Sequence, residues 1–272
     1  IIFTATSVFA QFSDSRQLTL KSVNSTDKFA EKLSNTQKNT AEKEKDFTFT
    51  VNAYLWTSAI GGLVSLPNSE TFEFNQSFSD AVNDLSLAAM LGGRFKYKSV
   101  SLLYDISYVK LTPDLAIPSH LTSVYKSGSA EIKEFVGDFS LAYRIPLEDK
   151  NVQLDVYGGA RVWSMDKALN LTTIGGTTST STSNRTWVDP IFGAAVNIDF
   201  EKRWFTYLKA DMGGFGAASE FTTAFLFGAG YRFSPNWNVS LGFKNLYDDY
   251  EKDNTEMNVW QTGLLLSVGY RL

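Results

Sequence analysis

From Asp46 to the C-terminal residue, the dominant feature of the sequence is an alternation of apolar and polar residues with a period of two. In the first run, Phe47 and Phe49 share one face of an extended chain, while Thr48 and Thr50 share the other. The runs are about a dozen residues long, which exceeds the roughly 5 or 6 residues of soluble strands and matches the roughly 9 to 11 that cross a bilayer obliquely. The pattern therefore predicts long β-strands.

Ten such runs can be distinguished between Asp46 and Leu272. They start near Phe47, Leu85, Val100, Glu134, Val152, Thr186, Trp204, Phe221, Trp237 and Val259. Because the last run ends at Leu272, its pairing with the first run would close the sheet and leave no exposed edge. The sequence therefore predicts an all-β, antiparallel up-and-down transmembrane β-barrel over residues 46–272, with ten strands. Eight or twelve strands are the alternatives, because Gly61–Phe74 could add a hairpin and the second run starts indistinctly.

The connections and the aromatic residues indicate which face of the barrel is apolar. Connections alternate between very short ones, such as Glu201–Arg203 and Ser234–Asn236, and mostly long polar ones, as short periplasmic turns and extracellular loops do. Aromatic residues of the apolar face collect near the strand ends. They are Tyr97, Tyr143, Trp204, Tyr231 and Trp237 near the short turns, and Tyr108, Tyr247 and Trp260 near the long loops. Two such girdles predict that the apolar face points to lipid and that the polar face lines the interior.

Composition excludes several other classes of protein. Mean hydropathy is −0.14, and no apolar run approaches the roughly 18 to 20 residues of a transmembrane helix, which excludes a helical membrane protein. The formal net charge of −4 and the pI near 5.2 give no reason to expect nucleic acid as a partner. Cysteine is absent, which removes disulfides, thiolate metal sites and cysteine nucleophiles.

The N-terminal part of the chain differs from the rest. Residues Ile1–Ala10 are apolar or small, and Val8 and Ala10 have the spacing of a signal-peptidase site before Gln11. We interpret this segment as the remnant of a signal peptide, with an ordinary buried strand as the alternative. Residues 11–45 are rich in Ser, Thr, Asn, Lys and Glu, which predicts a flexible polar segment in the periplasm. Both features predict export to the outer membrane of a Gram-negative bacterium.

Several motifs occur together in the second half of the chain. They are Trp187-Val188-Asp189-Pro190, Gly213-Gly214-Phe215-Gly216, Gly230-Tyr231-Arg232-Phe233-Ser234-Pro235-Asn236-Trp237 and the closing Gly269-Tyr270-Arg271-Leu272. With these motifs, residues 187–272 resemble bacterial outer-membrane β-barrel proteins of the OmpA-like or OmpX-like class, in particular a porin-like branch with a Trp-x-Asp-Pro strand opening. The resemblance implies the barrel fold and an outer-membrane location, and it is silent on activity. Leu272 departs from the family, since many such proteins end in Phe.

The interior face carries a nearly balanced set of acidic and basic residues. We predict a charge network in the lumen from Arg94, Asp105, Asp138, Arg161, Lys209, Asp211, Arg232 and Lys244. Further inward positions of the same pattern are Lys96, Glu134, Arg144, Asp155, Asp189, Asp199 and Arg271. Unpaired buried charge is costly, so these groups are expected to pair across a narrow barrel and to plug it. The alternative is a polar conduit lined by the same residues, which ten strands would keep narrow.

Three inward-facing tryptophans, Trp56, Trp163 and Trp187, lie at the extracellular ends of their predicted strands. They are expected to meet at the mouth of the barrel, where they would close it or, alternatively, form a platform for a ligand. Two loops follow from the pattern. The long segment Gly61–Asp84 has a helix start at Ser77-Phe78-Ser79-Asp80 and is long enough to bind another protein. The polar, low-complexity segment Thr172–Asn184 is predicted to be a variable surface loop.

A catalytic site has weak support in the sequence. His120 is the one histidine of the chain, and it lies in the predicted loop Pro113–Ser129 with Asp114 as its nearest acid. Outer-membrane barrels include proteases and lipid-modifying enzymes that use His with a carboxylate or Ser, but a loop His beside Ser is common by chance. We therefore predict no catalytic residues.

A metal site has equally weak support. Asp248, Asp249, Glu251 and Asp253 form an acidic cluster, but they lack the Gly and the spacing of a defined Ca²⁺ loop. A solvated acidic loop is expected there instead, and neither a metal nor another cofactor is predicted.

The predicted protein is a non-enzymatic outer-membrane barrel that is either structural or a narrow passive channel of porin-like type. The alternative function is an accessory or binding subunit that acts through extracellular loops, and a lipid-modifying or proteolytic enzyme is a remote one. Expected partners are outer-membrane lipid and lipopolysaccharide, the barrel-assembly machinery during insertion, and a protein bound through residues 61–84. No nucleic acid is expected.

Overall fold

A computed structural model of the chain describes residues 46–65, 71–115, 122–201, 203–252 and 255–272. The predictions for the signal peptide at residues 1–10, for the polar segment at residues 11–45 and for His120 lie outside the described residues. Within the described ranges, no helix is long and apolar enough to cross a membrane.

The described residues form twelve β-strands and one short helix. The strands are β1 Phe47–Ser65, β2 Thr71–Gln76, β3 Leu85–Tyr97, β4 Val100–Leu111, β5 Asp114–Leu115, β6 Tyr125–Ile145, β7 Val152–Thr173, β8 Thr178–Phe200, β9 Trp204–Gly214, β10 Ser219–Arg232, β11 Trp237–Lys252 and β12 Thr255–Arg271, and α1 spans Phe78–Asn83 between β2 and β3.

Ten of these strands make the wall of a closed antiparallel barrel. Each of β3, β4, β6, β7, β8, β9, β10, β11 and β12 pairs with the wall strand before it, and β12 returns to pair with β1. β2 pairs with the end of β1 from Ile60 to Ser65, and β5 pairs with β6 at two residues, so neither adds to the circumference. The prediction of ten strands, closed by the last strand on the first, is confirmed.

The strands are strongly tilted against the barrel axis. A row of paired residues that starts at Thr50 on β1 passes through Arg94 and Leu103 and runs once around the wall. It returns to β1 at Gly62, twelve residues further along the chain. For ten strands this stagger corresponds to a tilt of about 40°, which is usual for transmembrane barrels.

The outer face of the barrel is an apolar band between two rings of aromatic residues. Leu141, Leu241 and Leu264 point outward with 64%, 58% and 57% of their surface exposed. On β11, Trp237 belongs to one girdle and Tyr247 to the other. The ten residue steps from Trp237 to Tyr247 span about 25 Å along the axis at the tilt given above. This height matches the apolar band of a transmembrane barrel, so the wall spans a membrane.

Among the described residues that were predicted to form loops, most belong to strands. In Gly61–Asp84, β1 continues to Ser65 and pairs with β2, and α1 follows. The predicted helix start is confirmed, because the Asp80 backbone N–H donates to Ser77 Oγ at 3.3 Å and the Asp80 carboxylate accepts from the Ser77 backbone N–H at 3.2 Å.

The segment Thr172–Asn184 lies at the surface, since Ile174 to Asn184 are exposed, but the prediction of a loop is wrong for most of it. β7 continues to Thr173 and β8 begins at Thr178, so most of this segment is a strand hairpin. Similarly, the predicted loop Pro113–Ser129 contains β5 and the start of β6. Ser and Thr are both polar, so their alternation does not produce the apolar–polar pattern from which strands were predicted, although Thr is well suited to a strand.

The β9–β10 hairpin is much shorter than its neighbours. Its turn contains three consecutive residues with positive φ, namely Gly214 at 86°, Phe215 at 53° and Gly216 at 73°. Glycine adopts this backbone region without strain, so the Gly-Gly-Phe-Gly motif makes a tight turn at the level of the aromatic girdle that contains Tyr247. As a result, β7 and β8 rise well above β9 and β10.

Candidate functional site: the closed lumen

The inward side chains fill the barrel in three layers. We call the layer at the end of the barrel where β1 starts and β12 ends the lower layer, and the layer at half height the middle layer. The upper layer lies at the level of the aromatic girdle that contains Tyr247. Period-two alternation in every wall strand brings these side chains inside. Their partners are set by the stagger of the strands.

In the lower layer, two basic side chains share one carboxylate. Arg94 Nη2 donates to Asp155 Oδ2 at 2.8 Å, and Arg144 Nε donates to Asp155 Oδ1 at 2.7 Å. Asp155 is 1% exposed. Arg232 lies in the same layer and donates to Asp199 at 2.7 Å, with its guanidinium 4.5 Å from the centre of the Phe205 ring.

The centre of the middle layer is Arg161, which has no exposed surface. Its guanidinium forms a two-bond ion pair with Asp138, at 2.8 Å and 2.9 Å. It also donates to Asp211 at 2.9 Å and to Thr222 Oγ1 at 3.1 Å. Tyr157 donates its hydroxyl to the second Asp211 oxygen at 3.0 Å. One arginine therefore joins β6, β7, β9 and β10.

A second ion pair of the middle layer crosses the lumen. Lys244 on β11 donates to Asp105 on β4 at 2.7 Å, and three wall strands lie between these two by the shorter route. Tyr54 donates to the same carboxylate oxygen at 2.8 Å. The Lys244 ammonium also lies 4.9 Å from the centre of the Trp56 ring, a cation–π distance.

Little space is left between these groups. Asp105, Asp138, Lys209 and Lys244 surround a cavity of about 20 Å³, which has room for one water molecule. Lys209 lies over the Tyr157 ring at 5.2 Å. Lys209 makes no ion pair with any described residue. Of the predicted network residues that line this cavity, it is the one whose charge has no ion-pair partner among the described residues.

The upper layer connects the Trp-x-Asp-Pro motif with the strand that follows the Gly-Gly-Phe-Gly turn. Asp189 of the Trp-x-Asp-Pro motif accepts hydrogen bonds from the backbone N–H and the hydroxyl of Ser219, both at 2.7 Å. Ser219 follows the Gly-Gly-Phe-Gly turn, and its Oγ also lies 3.1 Å from both Asp248 oxygens. The predicted acidic loop is therefore wrong at Asp248, which is 1% exposed and points into the lumen from β11.

Ser219→Ala is expected to lower the free energy of unfolding by about 1–3 kcal/mol, because two buried carboxylates lose their shared hydroxyl partner. Urea unfolding of the barrel in phospholipid vesicles, followed by tryptophan fluorescence, measures this change. Ser181→Ala is the matched control, since Ser181 is exposed on β8, and a change within about 0.5 kcal/mol is expected there. Equal effects of the two substitutions would contradict the structural role of Ser219.

An apolar cluster closes the upper layer, and we call it the cork. It consists of Trp56, Val136, Trp163, Met165, Trp187, Leu246, Tyr250, Met257, Val259 and Leu265. Trp163 and Trp187 stack with their ring centres 5.7 Å apart, and Tyr250 packs on Trp187 at 4.6 Å. The three predicted mouth tryptophans thus lie in one cluster, and each of them is at most 5% exposed.

The indole N–H groups of Trp56, Trp163 and Trp187 are buried without a hydrogen-bond partner among the described residues. A buried donor without an acceptor costs about 1–3 kcal/mol. The packing of large aromatic surfaces in the cork offsets this cost.

Sequence reasoning missed several residues of these layers. Ser219 and Thr222 have no exposed surface, and Gln261 on β12 donates across the lumen to Glu134 on β6 at 2.7 Å. Small hydroxyls and amides carry no formal charge, so charge balance does not single them out. The alternation of the strand could have identified Thr222, because it follows the outward-facing Phe221 and must therefore face the lumen.

No group of three or more His, Asp and Glu side chains in the described part of the chain could hold a metal ion. No family model and no curated protein matches the sequence.

Among solved structures, the chain is similar to the outer membrane protease OmpT from Escherichia coli, with 10% identity over 84% of this chain and 98% of that chain and a TM-score of 0.47. It is also similar to the translocator domain of the autotransporter NalP from Neisseria meningitidis, with 11% identity, coverage of 91% and 97%, and a TM-score of 0.40. The third is Ail, the attachment invasion locus protein of Yersinia pestis, with 10% identity, coverage of 83% and 98%, and a TM-score of 0.34.

The strand topology and the outer apolar band of the chain itself carry the assignment of the fold. The expected resemblance to outer-membrane β-barrels is confirmed at this level, and the comparisons assign no activity to the lumen.

Proposed function

We propose that the protein is a non-enzymatic barrel of the bacterial outer membrane whose lumen is closed, so that it acts as a structural scaffold and not as a passive channel. The observation that supports this most is the direct contact of side chains across the lumen. The Lys244–Asp105 ion pair and the Gln261–Glu134 hydrogen bond, both 2.7 Å long, bridge opposite walls.

The layers above and beside these bridges support the same proposal. Arg161 occupies the centre with no exposed surface, and the cork covers it from the side of the raised strands. A passive channel needs a continuous aqueous path, whereas the cavity in the middle layer has room for one water molecule. Outward-facing apolar side chains require lipid around the wall, and lipopolysaccharide and inner-leaflet phospholipid are the lipids of this membrane.

Conductance of the folded protein in a planar bilayer tests the proposal. Barrel formation is first checked by heat-modifiable migration on a gel. We expect the folded wild-type protein to insert and to show no stable conductance steps.

Stable steps from the folded protein, altered in size by Lys209→Gln, would overturn the closed lumen in favour of a narrow channel. Lys209 is the informative position because its ammonium borders the cavity. Lys126→Gln is the matched control, since Lys126 is exposed at the start of β6 and lies outside the lumen layers.

A further inference from the structure

The upper half of β8 has a free edge. β9 pairs with β8 from Ile191 to Phe200 and then turns back at the short β9–β10 hairpin. On its other side, β8 pairs with β7 all the way to Thr178. From Thr178 to Pro190, which we call the free edge, no described strand pairs with β8 on its β9 side. Among the described residues, the wall therefore has a gap above the β9–β10 hairpin.

The orientation of the backbone groups along the free edge follows from the alternation of the strand. The Asp199 backbone N–H donates to the Asn151 carbonyl at 2.9 Å on the β7 side, and the β7–β8 register continues to Thr178 without a shift. The backbone N–H and C=O groups of odd-numbered β8 residues thus bond to β7, and those of even-numbered residues point away from β7. The even-numbered residues above Pro190 are Thr178, Thr180, Thr182, Asn184, Thr186 and Val188.

The free edge lacks the features that normally prevent strand addition. Proteins protect edges with charges, prolines and bulges. The exposed stretch Thr178–Thr186 contains Ser, Thr and Asn with Arg185 as its one charged residue, and it is regular. Pro190 lies at the base of the free edge, where β9 ends.

Charges on the opposite side of the gap indicate what the free edge binds. Glu220 and Glu251 are exposed there, Asp249 is half-buried, and Lys252 is the basic neighbour at the end of β11. A strand that pairs with β8 would pass these acidic side chains, so basic side chains on it would be attracted.

A second copy of the chain fits the free edge poorly. Two copies in one membrane have their β8 strands running in the same direction, and a two-fold axis along the membrane normal places identical residues at equal heights. In a parallel pair, the backbone N–H groups of one strand must lie opposite the C=O groups of the other, which requires an offset of one residue. The two-fold axis instead places each N–H opposite the same N–H of the other copy.

We propose that the free edge of β8, Thr178–Pro190, binds an extended basic segment of a partner protein by β-strand addition. Backbone hydrogen bonds to the even-numbered residues hold the segment, and the acidic side chains across the gap select basic sequences. This role goes beyond the proposed scaffold function and does not depend on whether the lumen conducts.

Peptide binding to the folded protein in lipid nanodiscs tests the proposal. The probe is a fluorescein-labelled dodecapeptide of alternating Thr and Lys, and its counterpart with Glu in place of Lys controls for charge. Thr182→Pro removes one backbone N–H from the free edge and leaves the β7 ladder intact, whereas Thr182→Ala keeps that N–H and serves as the matched control.

We expect Thr182→Ala to bind the Lys peptide like the wild type, and Thr182→Pro to bind it about tenfold more weakly or worse. The Glu peptide is expected to bind more weakly than the Lys peptide to every variant. Amide hydrogen exchange of the wild type should slow at even-numbered residues between Thr178 and Thr186 when the Lys peptide is added.

Equal affinity of Thr182→Pro and Thr182→Ala for the Lys peptide, or no binding to the wild type at about 1 mM peptide, would overturn strand addition at this edge. Asn184→Pro provides a second variant in case Thr182→Pro does not fold, since Asn184 has the same parity on β8. Conductance has no bearing on this result, so the two proposals fail independently.

Discussion

Arg161→Ala is expected to lower the free energy of unfolding by about 3–5 kcal/mol, because it leaves Asp138 and Asp211 buried without their counter-charge. Arg161 is the largest charged side chain without exposed surface in the described lumen. It donates to both carboxylates at 2.8 to 2.9 Å and links four wall strands. Urea unfolding in phospholipid vesicles measures the change, and the temperature at which the folded gel band disappears provides an independent measure.

The control for this prediction removes the whole ionic group. In the triple variant Arg161→Met, Asp138→Asn, Asp211→Asn, no unpaired charge stays buried, so most of the lost stability should return. The amide that replaces the Asp211 carboxylate would still accept a hydrogen bond from Tyr157. If Arg161→Ala and the triple variant were equally unstable, packing of the arginine stem and not charge would be the main contribution.

Trp163→Ala is expected to cost about 3–5 kcal/mol as well, because it removes the most buried indole of the cork. Trp163 is 1% exposed and stacks on Trp187, which in turn packs on Tyr250. The same unfolding measurement applies. Conductance of this variant is a second readout, since a hole in the cork is one step towards an open lumen while the bridges below remain in place.

Trp163→Phe is the matched variant for this position. The Trp163 indole N–H has no hydrogen-bond partner in the described part of the chain, so its loss costs nothing in hydrogen bonding, and the ring of Phe keeps much of the apolar contact. We expect a loss below about 1.5 kcal/mol. A loss as large as that of Trp163→Ala would show that the indole N–H has an acceptor in the folded protein.

Much of the fold was predictable because a membrane-spanning wall obeys a local rule. Every backbone group in the membrane must be paired, so strands are long and alternate strictly between lipid and lumen. Phe47 and Thr48 show this rule at the start of β1, with Phe47 57% and Thr48 8% exposed. The rule failed above the membrane, where Thr178–Thr186 continues as a strand although neither face is apolar.

The sequence by itself determined the closed antiparallel barrel, the inward direction of the charged side chains predicted for the lumen and the two girdles of aromatic side chains, because these depend on parity and strand length alone. Only the tertiary structure decided which side chains meet. Lys244 contacts Asp105 at a sequence separation of 139. The Asp248 carboxylate is not solvated but shares the Ser219 hydroxyl with Asp189. These contacts depend on the twelve-residue stagger around the wall, which no local pattern encodes. The free edge of β8 likewise follows from the tertiary structure, because β9 turns back at a lower height than the neighbouring β7–β8 hairpin.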